Sequence, residues 1–130
     1  MRRATRHAFE SEPAAASTDA SKLIANASAR ADDRIFAMSL ALDLAPEASY
    51  SELAAVAGVA LKSQDIKVRA AALPLYAHVA PQSAAGDLAR MLSETDLEPE
   101  MQIALALGWG EVARGDSANR TAAQTALEQL

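Results

Sequence analysis

Residues of like character recur along this chain about every 34 positions, and a repeat of that length restricts a chain to a few stacked architectures. Arg34 and Arg69 stand 35 residues apart, as do Pro46 and Pro81, and Leu53 and Leu88. In the next interval Val68 and Met101 are 33 apart, as are Ala71 and Ala104, Tyr76 and Trp109, and Val79 and Val112. Between these landmarks apolar residues fall three and four apart, which is helical spacing. A single helix pair cannot cover its own apolar face, whereas stacked pairs cover one another.

Capping residues divide the repeats into segments. Ser17-Thr18-Asp19 precedes a helix over about 18–30. Asp32-Asp33 opens one over about 33–45, which stops near Pro46. Ser49 and Ser51 start a second, carrying Leu53, Val56, Ala57, Ala60 and Leu61. Asp65 caps a third, with Val68, Ala72, Leu75, Tyr76 and Val79, and Ser83 begins a fourth, with Ala85, Leu88, Met91 and Leu92. Pro99 suits the first turn of a fifth, with Met101, Leu105, Trp109 and Val112, stopped by Gly115. Asp116-Ser117 caps a sixth, with Ala123, Ala126, Leu127 and Leu130. Residues 1–16 are polar and carry Pro13, and they read as a flexible arm ahead of a helical repeat domain over 17–130.

Composition agrees with helices. Apolar residues make up 51% of the chain but aromatics only 4%, so alanine dominates and helices can approach closely. Strand-forming residues and hairpin turn pairs are sparse. Net charge is −5, unevenly spread: residues 1–31 hold five basic and three acidic groups, leaving seven and fourteen in 32–130. An acidic repeat domain disfavours nucleic acid as partner, because phosphate binding needs a basic surface. There is no cysteine, hence no disulfide and no thiolate metal site. Met1-Arg2-Arg3 begins like a signal segment, but Glu10, Glu12 and Asp19 interrupt the apolar run that a signal requires. No stretch approaches the roughly 20 apolar residues of a membrane span. A cytoplasmic location is the expectation.

The run Asp65-Ile66-Lys67-Val68-Arg69-Ala70-Ala71-Ala72 resembles a HEAT repeat, with Tyr76 and Val79 at its later apolar positions and Pro74 where such first helices often kink. Residues 98–113 resemble a second copy, in which Gln102 replaces the arginine and Glu98 the aspartate. Residues 32–47 are a weaker copy that keeps Arg34. The resemblance covers about 100 residues and implies a right-handed α-solenoid of about three antiparallel helix pairs. It also implies that Asp65 and Arg69 bridge adjacent repeats, making Asp65, Val68, Arg69 and Trp109 structural. A tetratricopeptide-like repeat is the second choice. Ala41-Leu42-Asp43-Leu44-Ala45-Pro46 looks like the end of one, and Leu107-Gly108 with Gly115-Asp116 like its middle, but these fragments share no register.

Candidate chemistry is thin. His78 is the lone histidine within the repeats; without a second histidine at i+4 it builds no zinc site, and no nucleophile accompanies it. Glu94, Asp96, Glu98 and Glu100 lack the glycine and the distal glutamate of a calcium loop, and acidic groups suit a helix N-terminus. Trp109 matches Tyr76 in register, an inward position. No metal, cofactor or catalytic residue is expected.

The expected function is therefore a protein–protein interaction scaffold or adaptor. In HEAT arrays the second helix of each pair lines the inner surface, which nominates Glu52, Asp87, Arg90, Arg120 and Gln124 as contacts for another protein or peptide. The alternatives are a tetratricopeptide-type peptide binder, or an enzyme of the HEAT-like DNA glycosylase or lyase type. Self-association through the C-terminal helix, ending on Leu127 and Leu130, is a further expectation.

Overall fold

A computed structural model describes residues 2–94, 96–115 and 119–129, with residues 2–5 described by backbone alone. Among these residues eight α-helices form and no strand does: α1 (Arg2–Ser11), α2 (Pro13–Ala25), α3 (Ala31–Leu44), α4 (Tyr50–Ala60), α5 (Ile66–Val79), α6 (Pro81–Leu92), α7 (Pro99–Gly115) and α8 (Arg120–Gln129). A short 3-10 turn, Glu47–Ser49, leads into α4. No helix of the described residues is long and apolar enough to cross a membrane.

The helix starts follow local chemistry. Pro13, Pro81 and Pro99 each stand at the first helical position, where a missing N–H costs nothing. Asp65 caps α5, its carboxylate accepting the Lys67 N–H at 2.8 Å. The proposed cap Asp116-Ser117 lies outside the described residues, as does Leu130.

The expected arm over 1–16 is corrected. Residues 2–11 form α1, and α2 begins at Pro13, earlier than the helix expected from about 18. Phe9 is the reason: it is 2% exposed and joins Ala16, Ala20 and Ile24 in the core. One aromatic in a polar segment gives no periodic signal, yet its burial removes some 150–250 Å² from water.

Odd-numbered helices stack in order, α1 on α3, α3 on α5 and α5 on α7. Among the even-numbered helices, α2 packs on α4 and α6 on α8. The central helix α5 is apolar on two sides. Val68, Ala72, Leu75 and Val79 enter one core with Met38, Leu53 and Ile24, while Leu73 and Ala77 enter a second with Leu88, Leu105, Trp109 and Val112. A helix apolar all round belongs in the interior of an assembly. Small residues set the α5–α7 crossing: a Cβ built on Gly108 would lie 3.8 Å from the Ala77 Cβ and 3.2 Å from Leu88 Cδ2.

The arginines of the repeat rhythm share one task. Arg34, 8% exposed, donates from Nε and Nη2 to the Ile24 carbonyl at 3.0 and 2.8 Å, in the last turn of α2. Arg69 donates from Nη1 to the Ser63 carbonyl at 2.7 Å, just after α4. Gln102, 33 residues after Arg69, donates from Nε2 to the Leu97 carbonyl at 3.0 Å. In each case an odd-numbered helix is tied by its first turn to the chain that precedes it, and a cation there also opposes the negative end of a helix dipole.

Candidate functional site

Two surfaces carry candidate function. The first lies between α4 and α6. A groove of roughly 500 Å³ is lined by Ala55, Gly58, Val59, Lys62, Asp87, Arg90 and Met91, among others. Val59 is 64% exposed. Asp87 and Arg90 are paired across one turn of α6 at 3.1 Å. Lys62 has no side-chain partner among the described residues. Of the five residues nominated from sequence, Asp87 and Arg90 meet in this groove. Glu52 is exposed on α4, one turn before Ala55, while Arg120 and Gln124 are exposed on α8. Arg120 Nε reaches the Ala113 carbonyl at a long 3.4 Å, so it holds α7 to α8 only weakly.

The second surface is a chain of polar groups across three helices. The Tyr50 hydroxyl lies 2.9 Å from His78 Nε2, and His78 Nδ1 lies 2.9 Å from Glu111 Oε2. Arg114 pairs with the other carboxylate oxygen of Glu111. The rings of Tyr50 and His78 also meet edge to face, 5.3 Å apart. These residues line a cavity of roughly 500 Å³ together with Glu47, Pro81 and Gly115. Desolvation by burial, then the charges of Glu47 and Glu111, push the Tyr50 phenol above its usual 10.0. The Glu111 carboxylate, paired also with Arg114, can only accept, so His78 Nδ1–H donates to it, and the Tyr50 hydroxyl shares a hydrogen bond with Nε2.

Hydroxyl, imidazole and carboxylate in that order are the parts of a nucleophilic relay. Here the hydroxyl is a phenol whose pKa is raised by burial and by the charges of Glu47 and Glu111. Glu111 is also held by Arg114, so its charge is already compensated. The chain of bonds acts as a strut joining the start of α4 to α5 and α7. Sequence reading left His78 without a partner because it looked four residues away, whereas the partners stand 28 and 33 residues away. The repeat spacing was the available signal: Glu111 follows His78 by the same 33 residues that separate Tyr76 from Trp109.

The remaining residues fall into place around these surfaces. Asp65 is exposed, and it and Arg69 both serve the α4–α5 junction. Val68 is 1% exposed and Trp109 2%. The Trp109 indole N–H is buried and finds no acceptor among the described residues. Glu94, Asp96, Glu98 and Glu100 are all exposed, and the first three share a shallow cavity with Arg69. Among the described residues no group of three or more His, Cys, Asp or Glu could hold a metal ion. No protein-family model matches the chain, and no curated protein or solved structure does either.

Proposed function

We propose that this chain is an α-solenoid of HEAT-like helix pairs that works as a non-catalytic interaction module, taking a segment of another protein into the α4–α6 groove. The groove carries the reading. It offers an exposed Val59, the thioether of Met91, and Lys62 as a cation without a side-chain partner among the described residues. The complementary occupant is a protein segment with an apolar side chain for Val59 and a carboxylate for Lys62. Support for the solenoid comes from the stacking of α1, α3, α5 and α7 and from the shared task of Arg34, Arg69 and Gln102. The net charge of −5 opposes a nucleic-acid partner, and a chain without cysteine suits the cytoplasm.

A displayed peptide library selected on the full chain tests this. The expected result is a family of peptides pairing an apolar residue with Asp or Glu, whose binding is lost in Val59→Glu and in Lys62→Glu while helical content is kept. Selected peptides that bind both variants as well as the parent would overturn the groove as the site.

A further inference from the structure

We propose that the outward seam of α7 binds a second copy of this chain in an antiparallel, two-fold arrangement. The seam runs Glu100, Ile103, Leu107, Gly110, Arg114, with alternating spacings of three and four residues. That spacing keeps all five on one side of the helix, away from buried Leu105 and Val112. Ile103 is 64% exposed and Leu107 57%, and they stand one turn apart. Together with Val59 and Leu127 they make up the exposed large apolar groups of the described residues.

The fold itself says what kind of group covers this face. The spacing of 33 that relates α5 to α7 maps Leu73 onto Ala106, Pro74 onto Leu107 and Ala77 onto Gly110. On α5 all three positions are buried, and Leu73 and Ala77 share the second core with α7. The same side of α7 is open. It can receive another helix, with a small residue at the crossing. Gly110 fits that use. A Cβ there would touch nothing within 4 Å in its own chain, so internal packing does not require a glycine. A glycine inside a helix is destabilising relative to alanine, which close approach of another helix offsets.

The seam is complementary to itself when reversed. Pairing Leu107 with Leu107 of a second copy sets Ile103 against Gly110, a large group against a gap. It also sets Glu100 beside Arg114, opposite charges at both ends. Glu100 is exposed in the first turn of α7, and Arg114, which pairs with Glu111 of its own chain, still has its side chain 73% exposed in the last. A two-fold axis is the symmetry of most small dimers. One helical seam is a small interface, so the dimer should be weak and dependent on concentration.

Analytical ultracentrifugation over a wide concentration range, with the full chain, tests the proposal. The parent should pass from monomer to dimer, and Ile103→Glu should shift the midpoint by tenfold or more, whereas Val59→Glu should leave it unchanged. Glu100→Lys and Arg114→Glu should each weaken self-association, and mixing them should restore dimers, since both charge pairs are then matched in the mixed pair. Should Ile103→Glu lose its helical content, the single variant Leu107→Cys replaces it and should oxidise to a covalent dimer. A parent that stays monomeric throughout would overturn the proposal. So would a dimer indifferent to Ile103→Glu, or charge variants that do not rescue each other.

Discussion

Truncating the three junction residues one at a time should give a graded loss of stability, ordered Arg34, Arg69, Gln102. Arg34→Ala removes two charge-assisted hydrogen bonds to a single carbonyl, and Arg34 is only 8% exposed, so the Ile24 carbonyl is left without its partner in a dry setting. Hydrogen bonds from a charged donor are worth about 1.5–3 kcal/mol each, and the loss of packed side-chain carbons adds to this. We expect about 2–3 kcal/mol, because both bonds share one acceptor. Arg69→Ala breaks one bond at a half-buried site, and water can take its place at the Ser63 carbonyl, so about 1–2 kcal/mol is expected. Gln102→Ala breaks a neutral bond at an exposed site and should cost about 0.5 kcal/mol. Urea unfolding followed by circular dichroism reads these values directly, provided the slope is unchanged between variants. Equal losses at all three positions, or a neutral Arg34→Ala, would refute the argument that one junction recurs with burial setting its strength.

Trp109→Ala should cost about 3–5 kcal/mol, a large share of the roughly 5–15 kcal/mol a domain commands. Trp109→Phe should cost less than half of that, because it also removes a buried N–H that has no acceptor among the described residues; iodide quenching of the single tryptophan should be slow in the parent. Phe9→Ala should lower stability by about 3 kcal/mol, read by thermal melting, and a neutral result would return residues 2–11 to the status of an arm. The Tyr50 phenol titrates above its usual 10.0 in the folded chain, so the folded state binds more protons than the unfolded state above that pH. The stability this contributes is complete below pH 10.0 and is lost as pH rises through the folded value. The melting temperature of the parent should therefore fall more steeply above pH 10.0 than that of Tyr50→Phe, and parallel curves would contradict the assignment.

What the sequence revealed, and what it hid, divides along physical lines. The helix over Ile66–Val79 was legible because Asp65 caps it and apolar residues follow at helical spacing. The spacing of 33 and 35 also put Arg34, Arg69 and Gln102 in register, but the carbonyl that each one bonds is a matter of the folded geometry. Helix α1 was hidden because a single Phe9 supplies its burial, and Pro13 reads as a loop until its place at the first helical position is known. The Tyr50–His78–Glu111 strut was hidden because its members sit on three different helices, and only stacking brings them within 2.9 Å. The groove was half visible. Asp87 and Arg90 could be assigned to an outer face, but Val59 and Lys62 belong to it through the α4–α6 approach, which no local pattern encodes.

The second core, the strut and the seam all rest on α5 and α7 crossing where Ala77 faces Gly108. A disulfide tests it most directly, in a chain with no cysteine of its own. The Cβ positions at 77 and 108 are 3.8 Å apart, within the range of about 3.5–4.5 Å that a disulfide requires. The double variant Ala77→Cys/Gly108→Cys, oxidised under mild conditions at high dilution, should close an internal bond, seen by mass spectrometry as the loss of two hydrogens and by non-reducing electrophoresis as a faster monomer. A folded, helical double variant that keeps both thiols free, or that links only between chains, would contradict the stacking on which every surface described above depends.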